Sequence, residues 1–147
     1  MFGFASTRDV VGLLVVLRWT AVAGQSGAVF AVAAVLGWDI PVVALAAGIT
    51  LLAVFNVVAA LRLRLVAEPF SSVEVFVHMS VDVSLLSYML ALTGGPSNPF
   101  FPLLLVPIAL AALALALPWV FATAATTLLC ATLAVFVHLP LPPGLAQ

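Results

Sequence analysis

The sequence predicts an all-α, polytopic transmembrane helix bundle of about five spans with a cytoplasmic N-terminus, and three observations carry that reading. Charged residues make up 6% of the 147 and hydrophobic ones 66%, too few polar groups to clothe a water-facing surface of ordinary size. Apolar stretches long enough to cross a bilayer recur between short polar interruptions. All four arginines, Arg8, Arg18, Arg62 and Arg64, fall at the start of the first stretch or between the second and third, which puts both segments on the cytoplasmic side.

The first span is read from about Val10 to Trp38. Its opening mimics a secretion signal, with Arg8, the apolar run Val10 to Leu17 and the small residues Ala21 to Ala23. Arg18-Trp19 interrupts that pattern, and no further charge follows before Leu36, so a retained span is expected. Trp19 and Trp38 stand nineteen residues apart, about 29 Å along a helix, and suit the two aromatic belts. Arg18 would then snorkel from just inside the cytoplasmic belt, with residues 10 to 17 as a partly submerged lead-in.

The second span runs from Pro41 to Leu61 and the third from Val73 to Thr93. The third holds Glu74, His78 and Asp82, four residues apart and so stacked on one helix face. Such a stack suggests a proton or ion path, or a helix-pairing or signalling role. Ser71-Ser72-Val73-Glu74 fits a capping box, which gives Glu74 a structural duty. An ionised Asp82 near mid-membrane needs a partner, and Arg18 is the candidate, although about two turns of depth are expected between them.

Phe100 to Phe136 as one helix would be about 55 Å long, far beyond a hydrocarbon core of about 30 Å. A hairpin bent at Leu117-Pro118-Trp119 divides it into spans at Pro99 to Leu117 and Trp119 to His138. The Trp38 to Pro41 link, the loop at 94 to 98 and the tail from Pro140 to Gln147 then face outward. Gln25, Asn56 and Ser84 are read as interhelical hydrogen-bonding residues, and Gly24 with Ala28 as a face for close packing.

Several chemistries are set aside. The near-zero net charge of −1 offers no basic patch for nucleic acid. The single Cys130 lies in an apolar run and reads as packing. His78 and His138 fall near opposite faces, too far apart to share a haem iron. No P-loop, zinc-spacing motif or nucleophile elbow is present, and no metal is expected.

The most informative segment is the outward loop Gly94-Gly95-Pro96-Ser97-Asn98-Pro99-Phe100. Gly94 can take the left-handed conformation that ends a helix, Asn98 can cap the next, and Pro99 suits a first helical position. That is a well-made hairpin. It also sets backbone donors and an amide beside an aromatic ring at the membrane edge, surroundings that suit a quinone with its flat ring, carbonyls and isoprenoid tail.

This heptapeptide resembles the Gly-Gly-x-x-Asn-Pro-Phe pattern of the RegB/PrrB-type redox-sensing membrane histidine kinases, and Leu17-Arg18-Trp19-Thr20-Ala21-Val22-Ala23-Gly24-Gln25 is similar to that family's first-helix motif. The order of the spans follows as well, so the resemblance covers most of the chain. It implies that residues 1–147 form a transmembrane sensor domain of a bacterial inner-membrane, two-component protein. It further implies that Gly94, Gly95, Asn98, Pro99 and Phe100 help bind ubiquinone, whose oxidised form would restrain the kinase. Arg18, Trp19, Gln25, His78 and Asp82 remain candidates for signalling or helix pairing.

The expected partners are the lipid bilayer, the quinone, a second copy of the chain and, through the kinase region alone, a response regulator. The family's sixth span, phosphoacceptor helix, ATP-binding domain and redox cysteine are not found here, so no catalytic site is expected in this chain. Two other classes stay open: a small transporter or channel component using the Glu74, His78 and Asp82 face, and a membrane scaffold subunit.

Overall fold

The computed structural model describes residues 6–140, so the outward tail expected from Pro140 to Gln147 lies outside the described residues beyond Pro140. Four helices are long and apolar enough to cross a membrane, and a shorter apolar helix joins them. Helix α1 covers Thr7–Phe30 and continues as a π-helical turn, Ala31–Val35. Helix α2 is Val42–Leu65, α3 Ser72–Leu92, α4 Val106–Ala114 and α5 Leu117–Val137. Multi-pass membrane character follows from these lengths and compositions.

Each start is specified locally. Ser6 caps α1 in a reciprocal box with Asp9, and Ser71 caps α3 in the same way with Glu74, its Oγ accepting from the Glu74 amide at 3.2 Å. Phe70 precedes the second box and packs with Val75, as a hydrophobic staple fixes the chain's entry angle. Ser71→Ala is expected to lower stability by about 1 kcal/mol, read from denaturant unfolding in mixed micelles; no change would mean that the staple alone holds this end.

At the opposite end of α2, Arg8 donates to the carbonyls of Leu63 and Val66, so one arginine of α1 satisfies terminal acceptors of its neighbour. The bundle thus has one arginine-bearing end, formed by Arg8, Arg62 and Arg64, which the positive-inside rule assigns to the cytoplasm. The outer end gathers Val22, Val29, Ile40, Leu45, Ile49, Met89 and Leu92 from three helices. Gly48 lets α2 and α3 approach closely there, since a Cβ on it would come within 3.1 Å of the Tyr88 ring.

The fourth apolar stretch departs from the expected Pro99 to Leu117 helix. It begins as a 3-10 helix, Phe101–Leu105, and becomes α-helical only for Val106–Ala114. Pro102 and Pro107 each remove a backbone donor, which favours the irregular start. At about 2.0 and 1.5 Å per residue the two parts rise about 24 Å together, short of a full hydrocarbon core. The segment nevertheless packs along the bundle: Leu104 lies against Val83 and Leu90, and Ala111 joins Val10, Val75 and Met79 toward the arginine-bearing end.

The bend also lies earlier than Leu117-Pro118-Trp119. Leu115 and Ala116 are extended, and Pro118 sits inside the first turn of α5. A continuous helix would drive the Pro118 ring into the carbonyl of Ala114, four residues back, so the break must come before the proline.

Gly24 and Ala28, expected to form a packing face, are both exposed, and no atom outside the local helix backbone approaches within 4 Å of a Cβ on Gly24. Within this chain that face packs against no other helix. Of the three interhelical hydrogen-bonding candidates, Asn56 donates to the Val15 carbonyl at 2.9 Å. Ser84 donates to the Ser80 carbonyl on its own helix and its hydroxyl also lies 3.9 Å from Cys130 Sγ on α5, an interhelical contact, and Gln25 Oε1 is buried with no partner among the described residues.

Candidate functional site

Two places carry the polar groups that the sequence singled out: a buried cluster between α1 and α3, and the loop beyond α3. In the cluster, Arg18 forks onto Asp82, with Nε at 2.6 Å from Oδ1 and Nη2 at 2.8 Å from Oδ2. Its remaining donors reach His78, Nη1 lying 3.3 Å from Nδ1 and Nη2 3.2 Å from the carbonyl. The Phe55 ring closes the cluster from α2, with its centroid 4.9 Å from the guanidinium carbon. Arg18 is only 3% exposed.

This corrects the depth assigned to Arg18. Arg8 and Arg18 are ten residues apart, as are Ser72 and Asp82, so on both helices the pair lies about 15 Å in from the arginine-bearing end. Arg18 therefore pairs in the bundle interior and does not snorkel, because its planar fork finds four acceptor atoms there, two from a carboxylate, one carbonyl and one imidazole nitrogen. Trp19 follows it to the same depth, half-exposed toward lipid, and residues 10 to 17 are full members of α1 whose Val10, Val11 and Leu14 are buried. The separation expected between Arg18 and Asp82 is absent.

Glu74, His78 and Asp82 share a face of α3 but not a single partner. Glu74 is held by its own cap and by Arg62, whose Nη2 is 3.4 Å from Oε1. His78 and Asp82 belong to Arg18. Two arginines from two other helices thus divide the stack. Among the described residues no group of three or more His, Cys, Asp or Glu side chains could hold a metal ion.

In the loop, Gly94 has φ +101° and Gly95 φ +54°, and the chain then forms a 3-10 turn, Gly95–Ser97. Asn98 is spent internally. Its Nδ2 donates to the Thr93 carbonyl at 3.0 Å and to Thr93 Oγ1 at 2.8 Å, while Oδ1 accepts from the Phe100 amide at 2.9 Å. It caps a turn, not a helix, and Pro102 takes the early helical position expected of Pro99. The amides of Ser97, Asn98 and Phe101 also close onto loop carbonyls. What the loop presents outward is the Phe100 ring, 60% exposed, beside the exposed Pro96, Ser97 and Pro99.

The far end of α5 braces this loop. His138 stacks directly over Gly95, and the Leu139 amide donates to the Ala91 carbonyl at 2.7 Å. His138 and His78 sit at opposite ends of the bundle. Sequence reasoning gives no role to Phe55 or Phe70 and only an orienting one to Arg62, although Phe55 and Arg62 are seven residues apart on α2 and so share a face, and Phe70 stands directly before the capping box.

A family model described as the PilS-like transmembrane domain matches residues 10–143. The sensor histidine kinase RegB of Cereibacter sphaeroides is 31% identical over 132 residues, which are 87% of this chain and 28% of that protein. The chain therefore spans less than a third of the length of this curated relative. No solved structure matches the chain at a significant level.

Proposed function

The chain belongs to the PilS-like transmembrane domain family and is a membrane sensory region of the sensor-histidine-kinase kind; from that premise we propose that it responds to ubiquinone or a related quinone at the outer loop, residues 94–100, and relays the ligand's state through the α1–α3 contact. The observation that carries the reading is Phe100, a large ring left 60% exposed on a loop in which the Ser97, Asn98, Phe100 and Phe101 amides and the Asn98 side chain are satisfied. A rigid, outward aromatic at the membrane edge offers one face for stacking and a route for an isoprenoid tail into lipid.

The donors are fewer than the sequence suggested. Asn98 acts by holding the loop and Phe100 by touching the ring, so Asn98 is a positioning residue. Thr93, to which Asn98 is tied, ends α3, and α3 carries Asp82 and His78 against Arg18. A ligand that favours one setting of the loop therefore acts on the element that α1 grips. By linkage it shifts the balance only as far as its affinities for the two packings differ.

The proposal includes the rest of the signalling arrangement: a homodimer in a bacterial inner membrane, a kinase region that reads the helix packing, and a response regulator downstream of it. Ubiquinone-1 titrated into the purified chain in detergent tests the input step. Phe100→Ala is expected to weaken binding about tenfold with helicity retained, the loss of a stacking contact and its area. Undiminished affinity in the folded variant would remove the loop from the reading.

A further inference from the structure

In the outer loop most of the donors that a ring with carbonyl oxygens needs are spent on the loop itself, whereas others lie elsewhere. Near the arginine-bearing end, α2 and α3 enclose an open cavity of about 310 Å³. Its walls include Phe55, Val58, Phe70 and Val77, and its polar lining includes Arg62 and His78. We propose that this cavity is a second ligand site, built for a flat, carbonyl-bearing ring amphiphile of the quinone class, with Arg62 and His78 as the two donors.

The first donor follows from the fork at Arg18. A guanidinium only donates, so His78 Nδ1, 3.3 Å from Arg18 Nη1, accepts, and the ring proton sits on Nε2. No hydrogen bond to Nε2 is found among the described residues. The second is Arg62. Its Nη2 makes the 3.4 Å contact with Glu74, while Nη1 is buried without a partner. A buried guanidinium nitrogen left without an acceptor is a group that a ligand oxygen would satisfy.

The walls fit the same chemistry. Phe55 and Phe70 flank His78 with ring centroids at 5.1 and 5.8 Å, and the Arg62 guanidinium carbon lies 4.7 Å from the Phe70 centroid. A planar ring entering the cavity meets aromatic and aliphatic walls at its flanks and the Arg62 and His78 donors at its oxygens. Val58 and Val77, both about half-exposed to lipid, form an apolar mouth through which a hydrocarbon tail leaves. An anionic lipid headgroup suits the cavity less, because Glu74 already answers the Arg62 charge and the other walls are apolar.

This site is separate from the outer loop. Glu74 and Thr93 are nineteen residues apart on α3, about 29 Å, beyond the reach of one headgroup. It also touches the relay directly, since its donor His78 is held by the same arginine that grips Asp82.

Ubiquinone-1 is titrated into the purified chain in phosphatidylcholine nanodiscs, with Phe100→Ala as the background so that the outer loop is removed from the measurement. Saturable binding is expected to persist in that background. It should fall at least tenfold on adding Val58→Trp, which fills the mouth from a lipid-facing position, and about tenfold on adding Arg62→Gln. Absence of binding in the Phe100→Ala background, or binding indifferent to both further substitutions in folded protein, overturns the second site while leaving the loop reading intact. Repeating the titration with phosphatidylglycerol included separates the lipid source: an Arg62→Gln effect that appears only with phosphatidylglycerol present overturns the ring assignment.

Discussion

Replacing Asp82 with alanine is expected to destabilise the bundle by about 3–5 kcal/mol, the cost of leaving a buried guanidinium without its counter-charge. Arg18 is 3% exposed, about 15 Å from the arginine-bearing end, and cannot reach water without dragging α1 with it. Its two short contacts to Asp82 are the ionic part of the cluster, and the imidazole and carbonyl of His78 cannot neutralise it. The Asn56 to Val15 hydrogen bond supplies the contrast: Asn56→Ala removes a neutral interhelical contact worth about 0.6 kcal/mol. Unfolding by SDS in mixed micelles, followed by circular dichroism, measures both.

The double variant Arg18→Met with Asp82→Leu decides what the pair is for. Similar-sized apolar side chains remove both charges, so most of the lost stability should return. Signalling, read in a fusion of this chain to the kinase region of the RegB relative, is expected to stay lost. Recovery of stability with recovery of signalling would reduce the pair to a structural contact. A loss below about 1 kcal/mol for Asp82→Ala would show that the fork does not hold α1 on α3.

The helices were legible because their signals are local. Ser71 and Glu74 mark the start of α3 within four residues, and the caps, prolines and apolar runs agree. The bend before α5 lies earlier than its proline suggests, because the ring of Pro118 acts four residues upstream, at Ala114. The depth of Arg18 was misjudged for a different reason. Trp19 and Trp38 have the spacing of two belts, but depth is set by what α1 packs against, and only the contacts of Arg8 with α2 and of Arg18 with α3 reveal it.

The site residues show the same division. That Asn98 and Phe100 belong to an outer bend follows from sequence order, whereas the consumption of the Asn98 amide by Thr93 depends on how the chain curls over Gly94 and Gly95. The aromatic cavity needed three elements at once. Phe55 and Arg62 share a helix face, Phe70 is a staple, and His78 arrives from α3; spacing along one helix cannot show that they meet.

Gly95→Ala is expected to lower stability by about 2–5 kcal/mol, from two costs that add at one atom. At φ +54° a side chain is disfavoured by about 1–2 kcal/mol. The new Cβ would also lie 2.5 Å from His138 Cβ and 3.1 Å from the Ala134 carbonyl oxygen, so α5 must move, at a further cost of about 1–3 kcal/mol. The collision is with both the Cβ and the Cγ of His138, the latter at 2.7 Å, and this fixes the form of the control. His138→Ala removes the Cγ alone and should give partial relief, while His138→Gly removes both atoms and should return most of the steric part, leaving the φ cost behind. Denaturant unfolding of the three double and single variants in mixed micelles reads the partition. Because α5 braces the loop through this contact and through the Leu139 to Ala91 hydrogen bond, the same substitution is expected to weaken ubiquinone-1 binding at Phe100 without altering binding in a Phe100→Ala background. Relief by His138→Ala equal to that by His138→Gly would mean that the imidazole, and not the backbone approach, sets the fit of α5 against the loop.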